Sequence, residues 1–252
     1  MLTEGAILAF LGGLAAGSFV TVVSHRVPRG ESIVGPRSRC PGCDTQIAAY
    51  DNVPVFSWLL LRGRGRCCGE SISVRYPLSE LGLGLAYLAT VLVLRHDPVE
   101  LALGLVLVTA LMAVTITDLE RRIIPNKILL ATAVIGFAIV AIFDPSSLPE
   151  RVAAALAAGG LLFLAALVYP RGMGLGDVKL AAVMGLFLGR NVAPALLVAL
   201  LAGSAVGLAV IAREGSEARK KAIPFGPFLA FGGLVGLLAG NELMDWYLGT
   251  FS

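Results

Sequence analysis

The chain has 252 residues, of which 57% are hydrophobic and 15% charged, and a net charge of +3. Soluble domains are nearer half apolar and a quarter charged, so a soluble globule is excluded, and so is a fibrous chain, because the 30 glycines and 13 prolines follow no period. Four cysteines in this length exclude a disulfide scaffold, and so small a net charge points to no nucleic-acid partner.

Charge-free apolar runs fall at 5–24, 81–94, 101–117, 128–143, 152–169, 180–189, 191–212 and 222–241. A bilayer core takes about 20 such residues per helix, and snorkelling flanks lengthen the shorter runs. The fold expected is therefore all-α and polytopic, with about eight transmembrane helices. The sixth run is the shortest and has Lys179 beside it. Seventeen of the 20 Lys and Arg residues lie in or beside the segments 25–76, 119–126, 170–177 and 213–223. Only Arg95, Arg151 and Arg190 lie on the other side, which by the positive-inside rule makes those segments cytoplasmic and puts both termini outside. The expected division is a first helix at 1–24, a small cytoplasmic lobe at 25–76 and a membrane domain of about seven helices at 77–252. Small residues at helix-packing spacing (Gly13 and Gly17, Gly185 and Gly189, Gly203 and Gly207, then Gly232, Gly236 and Gly240) predict close backbone approach within one bundle.

The lobe holds all four cysteines, Cys40, Cys43, Cys67 and Cys68. A cytoplasmic lobe is reducing, which disfavours disulfides. Cys40-Pro41-Gly42-Cys43 has the spacing of a zinc knuckle, and a metal would staple a lobe too small for a robust core. The second half is irregular. Gly65 stands three before Cys68, where a zinc ribbon has a cysteine, and adjacent Cys67 and Cys68 chelate one ion awkwardly. A four-cysteine zinc site, a site completed by His25, and four reduced thiols all stay open here.

Two acids stand apart from the loops. Asp118 closes the third run in Thr117-Asp118-Leu119-Glu120-Arg121-Arg122, and Asp177 opens the sixth in Gly172-Met173-Gly174-Leu175-Gly176-Asp177. Ionisable groups at membrane depth are expensive and mark function by default. The glycines allow backbone angles and close approaches that side chains forbid. Two carboxylates sharing a proton are the machinery of an aspartic protease. A proton- or ion-coupled transporter uses the same pair, and two helix-end carboxylates paired with Arg121, Arg122 or Lys179 would need no function. A transporter predicts inverted repeats and broken helices in both halves, and neither is visible.

Gly174-x-Gly176-Asp177 resembles the signature of the Gly-x-Gly-Asp intramembrane aspartyl proteases. Four other stretches follow in the order found in type IV prepilin peptidases, the prepilin leader peptidase/N-methyltransferases. They are Gly17-Ser18-Phe19 with Ser24-His25-Arg26-Val27-Pro28, Ser38-Arg39-Cys40-Pro41-Gly42-Cys43, Ile72-Ser73-Val74-Arg75-Tyr76-Pro77-Leu78-Ser79-Glu80-Leu81, and Pro224-Phe225-Gly226-Pro227-Phe228-Leu229-Ala230. Gly65 departs from the family, which usually has a cysteine there. The resemblance implies a bacterial inner-membrane enzyme that cuts the leader from prepilins or pseudopilins at the cytoplasmic face. Asp118 and Asp177 would be catalytic, with Gly174 and Gly176 in the active-site loop. It also implies N-methylation of the new amino terminus with S-adenosylmethionine, although no binding loop for that cosubstrate is recognisable. Helix polarity further suggests that Asp177, at a helix start, is the base and that Asp118, at a helix end, carries the shared proton.

Overall fold

The computed structural model describes residues 2–169, 173–214 and 223–250, so Gly172, Arg171, Arg219, Lys220 and Lys221 of the sequence reading lie outside the described residues. The described chain is helical, with two isolated antiparallel bridges, and divides into two units, Met1–Leu92 and Val93–Ser252.

In the first unit, α1 (Leu2–Arg26) and α3 (Arg75–Leu94) flank a lobe whose only α-helix is the short α2 (Phe56–Leu60). The close approach expected at Gly13 and Gly17 is present. A Cβ on Gly13 would come within 2.7 Å of the Gly84 Cα, and one on Gly17 within 2.6 Å of the Glu80 Cα.

The second unit contains α4 (Pro98–Arg121), α5 (Asn126–Phe143), α6 (Leu148–Val168), α7 (Leu175–Leu188), α8 (Val192–Glu214) and α9 (Gly226–Gly249). Asp97 caps α4 by accepting from the Val99 and Glu100 amides, with Pro98 in the first turn, where its missing N–H costs nothing. The eight long helices correspond to the eight apolar runs. They amount to seven stretches long and apolar enough to cross a membrane, because Leu175–Glu214 reads as one stretch of 40 residues. Such a helix would be about 60 Å long, twice the bilayer core. Gly189, at φ +53°, breaks it into α7 and α8.

The 14-residue α7 spans only about 21 Å. It packs against α4, α5, α6, α8 and α9, and Leu180, Ala181, Met184 and Phe187 are almost fully buried. A helix apolar on every side belongs inside a bundle, which explains how so short a run holds its place. Small residues let the neighbours close in: Gly185 meets Ala155 of α6, Gly136 of α5 receives the Phe187 ring, and Gly232 and Gly236 of α9 lie on Ala195 of α8. Gly207 meets nothing. Far from the Gly-x-Gly-Asp turn, buried Arg151 of α6 donates to the Phe187 carbonyl (2.6 Å) and pairs with Glu100 of α4.

Candidate active site

α4 ends one turn after Asp118, because Arg122 takes the left-handed conformation and donates its amide to the Asp118 carbonyl. Ile123, Ile124 and Pro125 then lead into α5. α7 begins with Gly174 as its N-cap and Asp177 in its first turn. The Gly174 amide donates to Asp177 Oδ2 (3.1 Å), and the Asp177 amide returns a bond to the Gly174 carbonyl (3.1 Å). This is the reciprocal bonding of a helix start, with glycine in place of the usual hydroxyl residue. Gly176 faces Ile124, whose Cβ would lie 3.0 Å from an added Cβ, so the turn after α4 and the start of α7 are in contact.

The two aspartates of the sequence reading therefore face the same site. Both are buried, at 6% and 8% exposure. They line one cavity of about 310 Å³ with Arg122, Ile124, Asn126, Gly174, Gly176 and Lys179. Lys179, the charge beside the sixth run, donates to the Asn126 side chain (2.9 Å).

One partner was not visible in the sequence. The Gly226 amide, at the start of α9, donates to Asp118 Oδ2 (2.8 Å). An added Cβ at Gly226 would fall 2.7 Å from that oxygen, so only glycine allows the approach. This overturns the polarity argument. Asp118 closes α4 but rests on the N-terminus of α9, so each carboxylate has a backbone donor at a helix start and the dipoles no longer tell them apart. The only sequence sign was the Pro224-Phe225-Gly226-Pro227 run, which marks a helix start without naming its target.

In the lobe, two short turns are closed by the antiparallel bridges Arg39 with Gln46 and Arg64 with Ser71. They are built alike. The Cys40 amide donates to the Thr45 carbonyl (2.9 Å) and the Gly65 amide to the Glu70 carbonyl (2.7 Å), while Asp44 and Gly69 occupy matching positive-φ positions. In this correspondence Cys68 matches Cys43, Gly65 matches Cys40 and Cys67 matches Gly42. The displaced Cys67 nonetheless joins the group: all four Sγ atoms lie within 4.8 Å of one another. The Cys40–Cys68 and Cys43–Cys67 separations are 3.5 and 3.2 Å, close to the roughly 3.8 Å between ligands of tetrahedral zinc with 2.3 Å bonds. Adjacent cysteines thus converge despite the awkwardness expected of them, and His25 is not part of the group. Hydrogen bonds with Thr45 and Cys67 hold the Cys43 thiol down to about 6, and the bond with Cys43 pushes Cys67 up to about 12.

Residues 11–95 match the bacterial peptidase A24 N-terminal domain, and residues 105–212 match the type IV leader peptidase family. The chain belongs to the type IV leader peptidase family. A prepilin leader peptidase/N-methyltransferase of Aeromonas hydrophila is 36% identical, covering 97% of this chain and 94% of its own length. Relatives of the same name in Stutzerimonas stutzeri and Bacillus subtilis are 34% and 33% identical over 96% of the chain. No solved structure gives a significant match. Both aspartates fall in the leader peptidase match and the thiol group in the N-terminal domain match, while Gly226 lies beyond both. Membership in a peptidase family lends no support to the transporter reading.

Proposed function

We propose that this chain is a multi-pass inner-membrane aspartic endopeptidase that removes the leader from prepilins or pseudopilins and then N-methylates the new amino terminus. The observation that carries the peptidase reading is one cavity lined by two buried carboxylates, each held by a backbone amide from a helix start. In this reading one aspartate takes a proton from water as its oxygen attacks the scissile carbonyl carbon. The other, protonated, donates to the carbonyl oxygen. The C–N bond then breaks, and the leaving nitrogen departs protonated as the new amino terminus. Gly174 and Gly176 keep the turn narrow enough for an extended peptide to reach the pair. The arginine and lysine distribution supports a cytoplasmic site with both termini outside.

The methyltransferase reading rests on the name its relatives carry. S-adenosylmethionine, when bound, supplies a methyl carbon to the amine nitrogen while the C–S bond breaks and its electron pair stays on sulfur. The thiol group has the donor chemistry and spacing for one structural zinc held by Cys40, Cys43, Cys67 and Cys68, which would staple the lobe.

The test is cleavage of a co-expressed prepilin. Asp118→Asn and Asp177→Asn should each lower cleavage by about 10²–10⁴-fold, the range for general acid–base groups, with membrane insertion intact. Near wild-type cleavage by either variant overturns the assignment.

A further inference from the structure

The first unit contains a cavity of about 890 Å³ between α1, the lobe and the start of α3. Small-molecule sites run from about 300 to 1,000 Å³. Its wall includes Glu80, which lies about a turn and a half into α3, at the edge of the charge-free run 81–94, and is 8% exposed. The partners of that carboxyl group are the Val55 amide (2.7 Å to Oε2) and the Ser18 hydroxyl, both neutral. Among the described residues no cation pairs with it, although an acid at this depth is costly and ordinarily paired.

A second, independent observation lies in the backbone that meets Glu80. Val55 sits at φ +62°, ψ −50°, and the Phe56 amide bonds to the Pro54 carbonyl (2.6 Å). This is a γ-turn of the rare hand centred on a β-branched residue, a conformation that costs about 1–3 kcal/mol. Such strain persists where the surroundings enforce it, typically around ligand sites. Here it aims the Val55 amide at Glu80, and Val55 itself lines the cavity. Tyr50 and Trp58 add aromatic surface to the cavity lining, with Trp58 fixed by its indole N–H on the Ile72 carbonyl (3.0 Å). Arg26 and Arg37 also face the cavity.

We propose that this cavity binds S-adenosylmethionine, with Glu80 as the anionic partner of its cationic sulfonium–amine region and Tyr50 and Trp58 as the surface for its adenine. A carboxyl group with no cationic partner suits a sulfonium, aromatic faces suit a purine, and guanidinium groups suit the methionine carboxylate. This assignment rests on the methyltransferase reading above and gives that reaction a place in the chain.

The test uses the full chain in detergent and S-adenosylhomocysteine as the probe. Only Trp58 and Trp246 contribute indole emission. In a Trp246→Phe background, saturable quenching of Trp58 is expected, and Glu80→Gln should weaken its apparent Kd roughly tenfold or more for S-adenosylmethionine. Glutamine keeps an oxygen for the Val55 amide, so the strained turn survives while the charge is lost. If Glu80→Gln fails to fold, ultraviolet crosslinking of wild-type protein to tritiated S-adenosylmethionine decides, with label expected between residues 48 and 80. Unchanged Trp58 emission, equal affinity in the variant, or label confined to 93–252 each overturns the site. Mass spectrometry of cleaved prepilin is run alongside. A wild-type chain that methylates but fails these binding tests sinks the site alone, and one that cleaves without methylating sinks the methyltransferase reading.

Discussion

Gly226→Ala tests the contact that ties the last helix to the proposed dyad. The added Cβ would stand 2.7 Å from Asp118 Oδ2 and 3.1 Å from its Cγ, whereas ordinary contact begins near 3.4 Å, so something must move by about 0.7 Å. Either the carboxylate leaves its donor or α9 backs away, and in both cases the 2.8 Å bond from the Gly226 amide is stretched. Misplacing a catalytic group by 1 Å costs about 10²-fold, so cleavage should fall roughly 10- to 100-fold. Overpacking by one methyl costs about 1–3 kcal/mol, which lowers stability without preventing assembly. Two other glycines calibrate the measurement. At Gly176 the added Cβ meets Ile124 at 3.0 Å, a smaller conflict, and at Gly207 it meets nothing within 4 Å. Single-turnover cleavage of purified prepilin, with thermal unfolding of each variant, should therefore rank Gly207→Ala above Gly176→Ala above Gly226→Ala. A Gly226→Ala enzyme that cleaves as fast as Gly207→Ala would refute the proposed role of this contact.

Purified protein should carry about one zinc, and the matching turns of the lobe allow a sharper check. An added Cβ at Gly65 lies 3.9 Å from both the Cys40 and Cys67 sulfurs, so a Gly65→Cys, Cys67→Gly double variant should keep the metal that Cys67→Gly alone loses, as read by elemental analysis. In chelator-stripped protein, iodoacetamide should label Cys43 first, because its thiolate predominates above a pKa of about 6. Cys67, at about 12, should stay protonated and unlabelled at neutral pH, and added zinc should protect all four, as mass spectrometry would reveal. Arg151→Ala should destabilise the second unit by about 1–3 kcal/mol, chiefly because it leaves the Phe187 carbonyl without its donor, while the partly exposed Glu100 keeps access to solvent; denaturation of the purified protein in detergent measures this.

What could be read from the sequence follows the range of the interactions. Asp118 and Asp177 were legible because a carboxylate at the edge of an apolar run is costly enough to need a reason. The turn before Asp177 was legible because its donor is three residues away. Gly226 was not, because its acceptor lies 108 residues earlier and no local pattern encodes that distance. The polarity argument failed for the same reason, since a helix end says nothing about which other helix points at it. Glu80 sat in a quoted stretch without a role, yet an acid at the edge of an apolar run was the signal already used for the aspartates. The cysteine group was half legible: Cys40-Pro41-Gly42-Cys43 announces a knuckle, whereas the matching turn is visible only in backbone bonds that spacing does not record. Each of the eight apolar runs became a long helix, but only seven stretches are long and apolar enough to cross a membrane, because the short α7 continues into α8 with Gly189 between them.

The unequal reach of the two carboxylate clamps has a consequence for biosynthesis. The donor to Asp177 is made with α7 itself and is available as soon as that helix forms. The donor to Asp118 is Gly226, at the start of the final helix of this chain, so a growing polypeptide carries both acids in the bilayer well before it possesses that amide. Until α9 is in place, one acid has its backbone donor and the other does not.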